Sequence, residues 1–247
     1  LIKKEIRSIQ DLLVELEKDN QYYPGAIWYR GQADESWSLM PGYLRPAAPP
    51  SESTLIKKFK QSAAMLVNTI PKESFDWLFL MQHYGVPTRL LDWSESPLVA
   101  LYFAVEKHSE HIDTDAALWS LRPSELNKNA NIHAEEEYFI PSFEDIELQN
   151  YSVEILSHNT RTKLMPLATI ATRNNTRIQA QHGVFTIHHH EKTAIESVGD
   201  SSHVIKYIIP DDNKVFILKQ LSLLGITKFQ LFPELASIGD IIKGELM

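Results

Sequence analysis

Two nearly uninterrupted apolar stretches, separated by a short polar segment, constrain this 247-residue chain more than any other feature. Residues 75–84 are apolar on almost every helical face, which predicts a buried helix. Gly85 stands where a left-handed cap would end that helix, and Pro87 follows. A second buried helix is predicted over 97–106, with Ser96 as its cap and Pro97 in its first turn. Residues 86–96 between them read as a polar loop with both ends anchored in the core. Loops held by rigid elements are where sites are usually built.

The remaining elements are shorter. An amphipathic N-terminal helix is predicted within residues 1–19, capped by Ser8. Residues 26–31 read as a buried strand ending in Arg30 and Gly31, with 37–40 as its partner. A linker over 46–53 precedes a helix over 54–68. Strands are expected at 116–121 and 204–209, a strand pair or hairpin at 177–187, a helix at 212–224, a strand at 228–231 and a closing helix at 234–243. Residues 123–165 are polar and poorly patterned, and read as an irregular insertion in a main domain spanning 20–247. Helices and strands mix without regular βαβ alternation. The expected class is therefore α+β, with mainly antiparallel small sheets packed on buried helices.

Composition removes several functions. With 24 Lys and Arg against 32 Asp and Glu, the net charge is −8, which argues against broad, sequence-blind binding of nucleic-acid backbone. There is no cysteine, hence no disulfide framework, thiolate zinc site or cysteine nucleophile. No apolar run reaches the ~20 residues needed to span a bilayer, so no membrane partner is expected and the chain reads as soluble and cytoplasmic. It opens on Leu1 instead of Met, as a fragment or processed chain would.

Three clusters carry candidate chemistry. In Tyr29-Arg30-Gly31, the guanidinium suits a phosphate or carboxylate, and Gly31 would let a ligand approach the backbone; the alternative is an ordinary edge-strand ion pair. The segment 82–96 gathers Gln82, His83, Thr88, Arg89, Asp92 and Ser94. His83 falls in the last turn of a helix, where the macrodipole favours its protonated form. Arg89 and Asp92 read equally well as site residues or as an internal ion pair. The third cluster runs from Arg177 to Phe185 and places Gln179 and Gln181 on one strand face, beside Gly183. His188, His189 and His190 lack a carboxylate at metal-ligand spacing, and no metal is expected there. The run Glu135-Glu136-Glu137 reads as a solvated face.

In this order the clusters resemble the FRG domain, a family named for a Phe/Tyr-Arg-Gly triplet. The triplet is Tyr29-Arg30-Gly31 here, and the central signature runs from His83 through Gly85, Pro87, Thr88, Arg89 and Asp92 to Ser94. Arg177, Gln181 and Gly183 match a third block, and residues 231–235 the usual ending. The family occurs mainly in bacteria and phages. Its motif order is similar in outline to that of ADP-ribosyltransferases, which implies NAD as substrate, a transferase-like fold, and a toxin or phage-defence role against an acceptor macromolecule. By that likeness Arg30, with Gly31, Arg89 and Arg177, would bind NAD, and Ser94 or His83 would seat the nicotinamide ribose. Gln181 would take the late-strand position, where those enzymes carry a Glu; Asp92 would then supply the acid. Two alternatives stay open: a nucleotide-binding or interaction module without turnover, and a phosphodiester-cleaving nuclease using His83, Arg89 and Asp92.

Overall fold

The chain folds around one mixed sheet whose middle is only loosely joined, and that weak joint positions everything of functional interest. In the computed structural model, residues 1–67, 70–132, 136–158, 162–171 and 176–244 are described. Strand β1 (Ile2–Glu5) leads into helix α1 (Ile9–Asn20), whose first turn is capped by the Ser8 hydroxyl accepting from the Asp11 amide. Strand β2 (Trp28–Gln32) carries Arg30; helices α2 (Glu52–Ala63) and α3 (Ser74–His83) follow. Strand β3 (Leu90–Ser94) and helix α4 (Pro97–Val105) complete the central block. Gly85 closes α3 at φ +77°, and the Ser96 hydroxyl accepts from the Val99 amide at the start of α4.

Strand β4 (Ala116–Leu121) precedes the short helices α5 (Pro123–Asn129), α6 (Ile146–Gln149) and α7 (Val153–His158). Then come β5 (Leu167–Thr169), α8 (Thr176–Ala180), β6 (Gly183–Ile187), β7 (Val204–Ile209), α9 (Asp211–Leu223), α10 (Lys228–Leu231) and α11 (Leu235–Gly244).

All seven strands among the described residues share one sheet, ordered β1-β7-β4-β2-β3-β6-β5. Every pairing is antiparallel except β1 with β7. The class is α+β, as the mixed pattern implied. β2 pairs with β4 at five positions and β3 with β6 at five, but β2 meets β3 only at Tyr29 and Ser94. Beyond that pair the two halves of the sheet part.

Three apolar clusters hold the halves. On one face of the first half, α1, α4 and α9 bury Leu12, Leu101 and Ile217 against Tyr29, Leu118 and Tyr207. On the opposite face Trp28, Trp119, Leu91 and Trp93 pack under Leu39, Leu126 and Ile195. The second half is covered by α2, α3 and α7, which bury Ile56, Leu78, Met81 and Val153 against Leu90, Leu167 and Ile187. Buried side chains of this size each contribute about 1.5–3 kcal/mol.

Several local expectations change. Residues 86–96 are not a free loop: Leu90–Ser94 is a strand in the sheet interior. Residues 37–40 are irregular and are not the partner of β2, which lies instead between β3 and β4. Residues 176–180 and 228–231 are helical turns where strands were expected. The helix expected over 54–68 covers 52–63, and Asn68 lies outside the described residues. Within 123–165, Leu126, Asn127, Leu148 and Tyr151 are buried. Glu135 also falls outside the described residues, while Glu136 and Glu137 are exposed. Among the described residues, no helix is long and apolar enough to cross a membrane.

Candidate functional site

Where β2 and β3 part, the backbone groups that a continuous ladder would pair need other partners. Arg30 supplies one. Its Nη1 donates to the main-chain oxygen of Asp92 at 2.5 Å, across the opening, and its Nε is buried with no hydrogen-bond partner. Burial pushes the Arg30 guanidinium below its ordinary pKa, the Asp92 charge pulls it back up, and Arg45 opposes it. An arginine does not give up its proton in a protein, so such a group favours an anion nearby.

The parting opens into a cleft of about 910 Å³. Its walls include Arg30 and Gln32 from β2, Gln82 and His83 from α3, Asp92 and Ser94 from β3, Phe103 from α4, and Arg177 and Gln181 from the α8 region. Five cationic residues (Arg30, Arg45, Lys72, Lys107 and Arg177) line it against three acids (Glu73, Asp76 and Asp92). In a chain of net charge −8, that is a local reversal of sign.

Asp92 is exposed to the cleft, and its Oδ1 accepts from Gln82 Nε2 at 2.7 Å. Thr88, itself buried, donates its hydroxyl to Gln82 Oε1 and accepts from the Leu90 amide at 3.1 Å. The Gln82 amide therefore has one orientation, with its NH₂ end on the carboxylate. Sequence reading named Gln82 and Thr88 only as members of a polar cluster; their shared role appears once α3 and β3 are placed side by side.

The remaining candidates divide. Arg89 is not in the cleft. It is 2 % exposed, and its guanidinium donates to Glu52 Oε2 at 2.7 Å, to the Tyr151 oxygen at 2.7 Å and to the His188 oxygen at 2.5 Å. The internal pair foreseen with Asp92 is made with Glu52 instead, at the start of α2. Gly31 lines the cleft, and its lack of a side chain also admits α4: a Cβ there would clash with the Ala100 oxygen and lie 2.5 Å from the Ala104 amide. Gly183 likewise admits α8, where a Cβ would meet Ile178 at 3.2 Å. Ser94 lines the cleft, but its hydroxyl donates to the Gln181 oxygen at 2.7 Å and accepts from the Ser96 amide at 3.0 Å.

Gln181 precedes β6 and is not on a strand; its Nε2 donates to the Leu231 oxygen at 3.0 Å. Arg177 donates to the His83 oxygen at 3.3 Å and lies over the Phe232 ring, 4.6 Å from its centre. His83 is not pushed toward its protonated form. Burial pushes its pKa below the ordinary value; Glu234 raises it and Arg177 lowers it, and its Nε2 stands 3.8 Å from Glu234 Oε1, beyond hydrogen-bond length. His188 and His189 are buried, and no group of three or more His, Asp or Glu among the described residues could hold a metal ion.

The structure is that of an α+β domain whose parted mixed sheet opens into an aromatic-walled cleft, where cations outnumber acids and one carboxylate is oriented. Residues 25–113 match the family model of the FRG domain, and the chain carries an FRG domain over that span. The match takes in β2, α2, α3, β3 and α4, hence both Arg30 and Asp92. No curated protein and no solved structure matches the chain.

Proposed function

We propose that the cleft binds a phosphorylated nucleotide, with NAD as the candidate, and that Asp92 takes part in ADP-ribosyl transfer from it. The observation that carries the reading is the placement of Arg30 and Asp92 on one cleft, in a wall where cations outnumber acids. A diphosphate beside Arg30 and Arg45 would meet a guanidinium that gives one hydrogen bond, to the Asp92 oxygen. The Asp92 carboxylate, held by Gln82, would face the ribose.

Transfer needs little else. The bond between ribose C1′ and the nicotinamide nitrogen breaks, nicotinamide leaves with the electron pair, and an acceptor oxygen or nitrogen adds to C1′ and releases a proton. A fixed carboxylate stabilises the positive charge that develops on the ribose, and positioning supplies much of the remaining acceleration. Gln181 carries no proton in this account; its Nε2 donates to the Leu231 oxygen. An effector acting on a macromolecular acceptor, of the kind a toxin or phage-defence protein would be, is the biological form of the same reading.

One observation favours a second reading, a binding module without turnover. Among the described residues no carboxylate takes the place assigned to Gln181; Glu191 pairs with Lys163, and Glu196 accepts from the Leu39 amide. Incubation with labelled NAD separates the two. Label transferred or nicotinamide released by the native chain, and lost in both Arg30→Ala and Asp92→Asn, supports transfer. A rise in melting temperature with NAD that is never consumed supports the module. The nuclease reading loses its residue set, since Arg89 is buried away from His83 and Asp92.

A further inference from the structure

Of the five tryptophans, Trp28, Trp77, Trp93 and Trp119 are at most 4 % exposed, whereas Trp37 is 41 % exposed and lines the cleft. Leaving an indole in water forgoes the burial that stabilises the other four. A mobile loop would explain that cheaply, but the segment around Trp37 is tightly tied. The Glu35 amide donates to the Asp115 oxygen at 2.7 Å, and the Trp37 amide to the Asp34 oxygen at 3.3 Å. Asp34 Oδ1 accepts from both the amide and the hydroxyl of Ser36. Glu35 Oε2 pairs with the buried Lys206 at 2.6 Å. On the far side Gln32 Nε2 donates to the Ser38 oxygen, while Gln32 Oε1 accepts from Trp119 Nε1. Leu39 is fully buried, and its amide donates to the Glu196 carboxylate. The fold thus fixes both flanks of Trp37 and leaves its ring at the cleft wall, in edge-to-face contact with His111 at 5.3 Å.

We infer that Trp37 is a preorganised stacking platform for the aromatic base of the ligand, so that the cleft selects base-bearing phosphates over bare phosphates or sugar phosphates. This rests on the anion-binding reading of the cleft and deepens it. Arg30 would hold the phosphates, and Trp37 would decide what they are attached to. A rigid aromatic presented on a fixed loop gives up little conformational freedom on binding, which is where stacking affinity is usually lost.

The test uses the full chain and two probes, ADP-ribose and inorganic pyrophosphate. Because four of the five indoles are buried, acrylamide quenching of tryptophan fluorescence reports mainly on Trp37. ADP-ribose is expected to shield the native chain from quenching, and pyrophosphate to bind without shielding. Trp37→Ala is expected to weaken ADP-ribose about 5- to 150-fold, the range of one base–aromatic stack, and Trp37→Phe to retain most of the affinity. Pyrophosphate affinity should be the same in all three chains. Equal ADP-ribose affinity in the native chain and Trp37→Ala would overturn the inference while leaving the anion site standing. Failure of both probes to bind the native chain would overturn the site reading and the inference with it. An equal loss of both probes in Trp37→Ala, with unchanged melting temperature, would overturn the division of labour between Trp37 and Arg30.

Discussion

Arg30 and Arg89 both lie in the segment that matches the FRG domain, yet they occupy opposite situations. Arg89 is enclosed and answered: Glu52 at the start of α2, the Tyr151 oxygen between α6 and α7, and the His188 oxygen just after β6 all meet its guanidinium. Arg30 spans the parting of the sheet, gives one hydrogen bond to the Asp92 oxygen and keeps a buried Nε without a partner. One guanidinium is used to assemble the protein, and the other is left with capacity to spare. A family signature therefore mixes two kinds of constraint, and only the surroundings of each residue tell them apart.

The comparison breaks most easily through stability. Arg89→Ala leaves the Glu52 carboxylate buried without its partner, and is expected to cost about 3–5 kcal/mol in urea unfolding. Gly31→Ala drives a methyl group into the backbone of α4, and should cost about 3 kcal/mol, the upper end of overpacking. Were Gly31 a ligand-approach glycine alone, that variant would fold normally and lose only binding.

Acid sharpens the scaffold side. Burial pushes His188 down to about 3 and His189 down to about 4, whereas an unfolded histidine takes its proton near 6.5. Below pH 6.5 the unfolded chain therefore binds more protons, so stability present above that pH is lost as pH falls. His188 by itself is expected to cost about 2 kcal/mol by pH 5, and urea midpoints across pH 5–7 should flatten in His188→Phe. On the cleft side, Asp92→Asn removes an exposed carboxylate and should change stability by no more than about 0.5 kcal/mol while abolishing any NAD turnover. A large stability loss there would move Asp92 into the scaffold with Arg89.

Sequence patterning located the elements that periodicity and caps mark: α3, α4, β4, β7 and α9 were expected within one residue of their observed bounds. It missed β3 because Asp92 and Ser94 lend polarity to a strand whose partners lie far along the chain, in β2 and β6. It read 176–180 and 228–231 as strands because alternation over four or five residues cannot distinguish a strand from a single helical turn. Arg30, His83, Asp92, Arg177 and Gln181 do line one cleft. Arg89 was misplaced for a physical reason: a buried arginine's partner, Glu52, is 37 residues away. Gly31 does line the cleft, but nothing in its local sequence signals that it also admits a helix. Trp37 carried no local signal, since its meaning lies in being the one exposed indole among five.

Arginine side-chain NMR reads the spare donor capacity at Arg30 directly. In a ¹⁵N-labelled chain titrated with ADP-ribose, the Arg30 Nε–H resonance should shift, while that of Arg89 stays where it was. Movement of neither resonance, or perturbation confined to residues outside the parting of β2 and β3, would contradict the account.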